Sequence, residues 1–262
     1  MCEIIAVANQ KGGAGKTTTT KNLGRALSEN GKKVLEVDFD PQFSLSTSLG
    51  YTNTDSEQFT IGDLMDRAIE MKELPDKEEY IKHTAHFDIL LSNIVLSSTE
   101  MKLVGILERE YILKSILDDL RGDYDYILID CNPSLGMLVI NALAACDSVI
   151  IPVDSNYLAS KGLELFLRTF IRILKRINTK LYIKGILLTK FNGLTNISKK
   201  TFRNINESYG SGINIFETKI PSSVKVGESD DQGLSIIDFT PENPVAIAYL
   251  ELAKEVINYV GQ

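Results

Sequence analysis

Two lysines, Lys11 and Lys16, stand five residues apart in one glycine-rich run, Asn9-Gln10-Lys11-Gly12-Gly13-Ala14-Gly15-Lys16-Thr17-Thr18. Glycines let a backbone curl until successive N–H groups point inward, and a helix starting at the end of the run adds the positive end of its dipole. That chemistry suits a polyphosphate. Lys16 is placed for the β- and γ-phosphates, the Thr17 hydroxyl for Mg²⁺, and the loop from Lys11 through Gly12, Gly13, Ala14 and Gly15 to Thr18 for the phosphate chain. The strict pattern G-x-x-x-x-G-K-[ST] fails because Gln10 occupies the first glycine position. What stands is Lys-Gly-Gly-x-Gly-Lys-Thr. A second cation beside one triphosphate is an excess unless it serves another nucleotide; the plainer alternative is a solvated lysine on a glycine turn.

Carboxylates follow at two strand ends. Val34–Val37 runs into Asp38-Phe39-Asp40-Pro41-Gln42, and carboxylates at i and i+2 project to the same side of a strand. Asp38 is assigned to the metal side and Asp40 to the attacking water, although Asp-x-Asp-Pro is also good turn chemistry. Tyr126–Ile129 runs into Asp130-Cys131-Asn132-Pro133. Four apolar residues closed by Asp fit a Walker B element, whose carboxylate reaches Mg²⁺ through water; the plainer alternative is a helix cap. Thr17, Asp38 and Asp130 form the expected metal set. His83 and His86 lie where no Ser-His-Asp or metal-ligand spacing occurs, and Cys2, Cys131 and Cys146 form no C-x-x-C pair. The thiols read as reduced, in a cytoplasmic protein.

The elements that must hold these groups are short apolar, β-branched runs with helix-patterned stretches between them. Strands are expected at Ile4–Ala8, Lys33–Asp38, Phe87–Leu91, Tyr126–Asp130, Ser148–Val153 and Tyr182–Thr189. Helices are expected at Thr17–Ser28, Thr60–Glu70, Thr99–Leu120, Leu158–Ile177, Ser198–Tyr209 and Pro244–Tyr259. Strands apolar nearly throughout imply helices on both faces, so the expected fold is α/β: one doubly wound, mostly parallel sheet in a single domain over 1–262. Ligands in such sheets bind beyond the carboxyl ends of the strands, where the loop and the carboxylates fall. Residues 51–86 carry no clear motif.

Composition narrows the setting. The 262 residues are 44% hydrophobic and 24% charged, as in an ordinary globular protein. No stretch approaches the roughly 20 apolar residues of a membrane span, and a loop beginning at residue 9 leaves no room for a signal peptide. The net charge of −7 argues against nucleic acid until its distribution is considered. Leu158–Lys225 holds 13 Lys/Arg against 3 Asp/Glu, which suggests a polyanion-binding face or, more plainly, a solvated helix surface.

Loop, Asp-x-Asp-Pro-Gln and Walker B segment together resemble the ParA/MinD group of deviant-Walker ATPases, in its Soj/ParA partition branch. The resemblance continues through Asp88-Ile89-Leu90-Leu91-Ser92-Asn93, through Tyr124 to Gly136, and through Asn141-Ala142-Leu143 to Val153. Ile220-Pro221 resembles the segment that precedes the family's adenine loop, which adds Ile220 and Pro221 to the nucleotide set. The resemblance implies ATP and Mg²⁺ as cofactors and an ATP-bound homodimer in which Lys11 crosses to the partner's phosphates. It also implies non-specific DNA binding, hydrolysis stimulated by a ParB-type protein, and a cytoplasmic, nucleoid-associated location. Four positions at three places depart from the family: Asn132 for a proline, Lys161 for a glutamate, and Ser222-Ser223 for Arg-Asn. DNA contact is therefore assigned to Arg168, Arg172, Lys175 and Arg176, which share a face at helical spacing, with Lys199, Lys200, Arg203 and Lys225 added. Leu163, Phe166, Leu167, Phe170, Leu174 and Ile177 form that helix's buried side. No base-reading pattern is visible, so contact would be to phosphate and salt-sensitive. Among alternatives, a MinD-like membrane cycle needs a basic amphipathic C-terminal helix, whereas Ala246–Ile257 reads as a core helix. A cargo-positioning or conjugative-element ATPase shares the same chemistry.

Overall fold

The computed structural model describes residues 2–155 and 159–259, the side chains of 159–161 excepted. One seven-stranded sheet runs through them: β1 (Glu3–Val7), β2 (Val34–Phe39), β3 (Ile81–His83), β4 (Asp88–Leu90), β5 (Tyr126–Cys131), β6 (Ser148–Asp154) and β7 (Tyr182–Thr189). The spatial order is β3-β4-β2-β5-β1-β6-β7. Every neighbouring pair is parallel except β3 with β4.

Alternation within the strands divides the core into two layers. Ile4 and Ala6 enter one cluster and Ile5 the other; Ile127 and Ile129 enter the first and Leu128 the second; Val149, Ile151 and Val153 enter the first and Ile150 the second. Strands apolar on both sides must be covered on both sides. The covering helices are α1 (Lys16–Glu29), α2 (Ser44–Ser48), α3 (Ile61–Ile69), α4 (Lys77–Tyr80), α5 (Val95–Lys102), α6 (Ile112–Asp118), α7 (Met137–Ala145), α8 (Ala159–Arg176), α9 (Asn196–Tyr209), α10 (Lys225–Asp231), α11 (Ile236–Phe239) and α12 (Pro244–Asn258). Helices α3, α5, α6, α7, α8 and α9 supply the first cluster, and α1, α11 and α12 the second. Val245, Ala246, Tyr249, Leu252, Ala253 and Val256 of α12 are buried, so this helix is a core element.

Three expectations need correction. The helix expected over 99–120 is broken: α5 ends at Lys102, two 3₁₀ turns follow, and α6 begins at Ile112. Glu108 sits at φ 54°, a left-handed conformation that a right-handed helix cannot run through. The stretch 51–86 forms, beside the expected helix α3, two elements that were not expected, α4 and β3, the last too short to show a period. Helix α7 is absent from the expected helices because Leu-Val-Ile-Asn-Ala-Leu-Ala-Ala is apolar nearly all round and carries no amphipathic stripe. Asn156, Tyr157 and Leu158 and the Lys161 side chain lie outside the described residues.

Candidate nucleotide site

Between β1 and α1 the chain turns through Gly13 at φ 70° and Gly15 at φ 88°, where an L side chain would be strained. Neighbouring strand ends brace this turn. Asn9 Nδ2 donates to the Pro152 carbonyl at 2.6 Å, and Asn9 Oδ1 accepts the Lys11 N–H at 3.1 Å. Thr189 Oγ1 donates to the Ala14 carbonyl at 2.8 Å, and Lys190 Nζ to the Gly13 carbonyl at 2.8 Å. Helix α1 then starts at Lys16, so its first N–H groups open onto the turn.

Lys16 is only 7% exposed, and among the described residues it makes no ion pair. Burial lowers its pKa, opposed by Asp130 and, more weakly, Asp40. Thr17 Oγ1 donates to Asp130 Oδ2 at 2.7 Å, while Asp130 Oδ1 is buried without a hydrogen-bond partner among the described residues. Burial, reinforced by Asp38, raises the Asp130 pKa well above the usual carboxylate range. Asp38 and Asp130 are register partners on β2 and β5. Asp38 Oδ2 accepts from the Ser46 N–H at 2.8 Å and the Ser46 hydroxyl at 2.7 Å. Desolvation outweighs these bonds and pushes its pKa up to about 7. Asp40 is half-buried and accepts the Gln42 N–H at 2.9 Å.

Lys11 Nζ lies 3.9 Å from Asp154 Oδ2, with its side chain 27% exposed. Within one protomer, Lys11 is therefore drawn toward the end of β6. Ile220 is buried; its N–H donates to the Leu188 carbonyl and its carbonyl accepts the Phe191 N–H, both at 2.9 Å. Pro221 bridges Phe191, so Ile220-Pro221 is fastened to the β7 end that braces the loop. Sequence reading missed Thr189 and Lys190 as loop-bracing residues. Their position at a strand's carboxyl end places them near the site, but their partners, Ala14 and Gly13, are distant in sequence.

The basic residues are more scattered. Arg168, Arg172, Lys175 and Arg176 are exposed on α8, whose buried side includes Leu163, Phe166, Leu167, Phe170 and Ile173. Lys199, Lys200 and Arg203 are exposed on α9, and Lys225 at the start of α10. Arg168 pairs with Glu164 and Lys225 with Glu228, each at 2.6 Å; the other six make no ion pair among the described residues. Cys131 and Cys146 are buried and unpaired.

A glycine turn feeding a helix, a buried lysine at its mouth and carboxylates at two adjacent strand ends define a P-loop nucleotide protein of the deviant kind. An AAA domain family model matches residues 2–183, which include the loop and both carboxylate strands. The sporulation initiation inhibitor protein Soj of Bacillus subtilis is 42% identical over 258 residues, covering 98% of each chain. The chromosome partitioning protein ParA of Caulobacter vibrioides is 35% identical, over 97% of this chain and 94% of its own. Among solved structures, a Mycobacterium smegmatis protein named cobyrinic acid a,c-diamide synthase, bound to an ATP analogue and magnesium, matches at a TM-score of 0.83. It is 32% identical, over 97% of this chain and 93% of its own. The chain belongs to the Soj/ParA family of partition ATPases, in the ParA/MinD superfamily.

Proposed function

We propose that the chain is a Mg²⁺-dependent ATPase that partitions DNA, and that ATP switches it between monomer and dimer. The observation that carries this reading is Lys16, a buried ammonium without an ion pair among the described residues. An uncompensated buried cation is costly, and a β,γ-phosphate would compensate it. The loop residues Lys11 to Thr18 would hold the phosphates, and Ile220-Pro221 would border the base.

The residues also fit Mg²⁺. Asp130 Oδ1 is a buried acceptor without a partner, Thr17 sits on the other oxygen, and Asp38 lies alongside. No group of three or more His, Cys, Asp or Glu that could hold a metal ion occurs among the described residues. A hard cation held by one or two carboxylates and completed by phosphate oxygens and water has the Mg²⁺ pattern. Bound there, it would neutralise charge developing on the phosphates. Asp40 orients the attacking water, and turnover is slow until a ParB-type protein engages.

The long 3.9 Å approach of Lys11 to Asp154 leaves Lys11 able to swing to a second protomer's triphosphate, making ATP a requirement for association. Exposed Arg172, Lys175, Arg176, Lys199, Lys200 and Arg203 supply a sequence-independent phosphate-binding surface; Arg168 and Lys225 join it by exchanging their glutamates for phosphate. Sedimentation with ATP or ADP, with and without non-specific duplex DNA, tests the scheme. Dimers with ATP that co-sediment with duplex, and monomers with ADP that do not, are expected. A nucleotide-independent oligomer refutes the switch. Arg168→Glu combined with Arg172→Glu should cut DNA binding and its salt slope; unchanged binding removes α8 from the interface.

A further inference from the structure

The end of β7 reaches the phosphate loop by two side chains on consecutive residues. Thr189 Oγ1 holds the Ala14 carbonyl and Lys190 Nζ the Gly13 carbonyl, each at 2.8 Å. In a planar trans peptide, the C=O and the next N–H point in opposite directions. Holding the Gly13 oxygen therefore turns the Ala14 N–H the opposite way, and holding the Ala14 oxygen does the same for the Gly15 N–H. Among the described residues, neither of those N–H groups donates a hydrogen bond within the chain.

Lys190 itself stands at φ 50°, a conformation that non-glycine residues keep only where their surroundings fix it. Here they do. Ser155 Oγ donates to the Lys190 carbonyl at 2.9 Å, the Ser155 N–H to the Thr189 carbonyl at 3.1 Å, and the Phe191 N–H to the Ile220 carbonyl at 2.9 Å. The ammonium is thus delivered to the loop by a backbone pinned on both sides.

We propose that Lys190 is a positioning residue of the phosphate loop: by gripping the Gly13 carbonyl, it presets the Ala14 N–H toward the nucleotide's phosphates. The inference rests on the nucleotide reading above. Loop N–H groups of this kind serve the α- and β-phosphates, which ATP and ADP share, so the effect of Lys190 does not depend on the γ-phosphate.

The test is calorimetric titration of the full chain with ADP and with a non-hydrolysable ATP analogue, for wild type, Lys190→Met and Lys190→Arg. Methionine keeps the chain length and removes the cation; arginine keeps a donor. Lys190→Met is expected to weaken both nucleotides by the same factor, about tenfold, the scale of one charge-assisted hydrogen bond. It should raise KM without lowering kcat, and Lys190→Arg should restore most of the loss. Unchanged affinities overturn the proposal. So does a loss confined to the ATP analogue, which would make Lys190 a direct γ-phosphate ligand, and so does failure of arginine to restore binding. Wild-type protein that binds neither nucleotide overturns both readings, whereas tight wild-type binding with an unaltered Lys190→Met variant overturns this one alone.

Discussion

The two ends of the sheet treat buried charge in opposite ways. At the amino end, Lys184, only 2% exposed, donates to both Glu3 oxygens at 2.8 and 2.7 Å, and Ser148 and Tyr182 donate to the same carboxylate. Nearby, Arg121 binds Asp147 and Asp118, while His83 and Tyr124 share Asp88. At the carboxyl end, among the described residues, Lys16 makes no ion pair, and Gln10, Asp130 and Asn132 each bury a side-chain oxygen without a partner. Among the described residues, the one other side chain with such oxygens is Glu36, in β2, whose pKa burial raises well above the usual carboxylate range, favouring an uncharged carboxyl. Leaving a buried polar group unpaired costs about 1–3 kcal/mol. That cost, concentrated at one end, marks where a ligand supplies the missing partners.

The largest effect should come from Lys16→Ala. If its unpaired charge exists to meet phosphate, titration with a non-hydrolysable ATP analogue should show affinity reduced on the order of a hundredfold or more. The apo fold should not suffer, because no partner is orphaned. Intact affinity would break the comparison at its strongest point.

The amino end should behave in the reverse manner. Lys184→Met leaves Glu3 facing a buried site without its cation, and loss of one member of such a pair costs about 3 kcal/mol. Urea denaturation should register that loss while nucleotide affinity stays at the wild-type value. A variant that kept its stability but lost nucleotide binding would dissolve the distinction between the two ends.

Asp130→Asn sharpens the comparison with a smaller effect of opposite sign. The substitution removes a charge that burial disfavours and Asp38 repels. Thermal melts of the apo variant should show a gain of roughly 1 kcal/mol, and ATP hydrolysis should fall sharply. Equal or lower apo stability would mean that the Thr17–Asp130 bond, rather than uncompensated charge, dominates the site.

How far the chain announced this arrangement depends on the residue. Loop, Asp38, Asp40 and Asp130 were legible because strand ends and glycine turns are local signals that period and spacing reveal. The six parallel strands were legible for the same reason. Helix α7 and β3 were not, one being apolar all round and the other three residues long. The break before α6 was hidden because Glu108 at φ 54° is set by tertiary context rather than by residue type. Thr189 and Lys190 belong to that last kind: their partners, Ala14 and Gly13, lie about 175 residues away in sequence, and no local pattern encodes such a contact.

The smallest expected effect is at His83. Its Nδ1 lies 2.7 Å from Asp88 Oδ1 and its Nε2 3.3 Å from Glu78 Oε2, so carboxylates from β4 and α4 face both ring nitrogens. The Asp88 bond, then the Glu78 bond, raises the His83 pKa above its ordinary 6.5. A histidine whose folded pKa is raised holds its proton more tightly in the folded protein than in the unfolded chain. Its stabilisation is therefore complete below about pH 6.5 and disappears as pH rises through the folded value. Because the ring is 60% exposed, the gain is below about 0.5 kcal/mol. Urea midpoints for wild type and His83→Gln, measured from pH 5 to pH 9, should converge at the alkaline end and separate slightly at the acid end. A separation that instead grew with pH would reverse the sign and show that the imidazole is held neutral, leaving one charge cluster at the amino end unpaired.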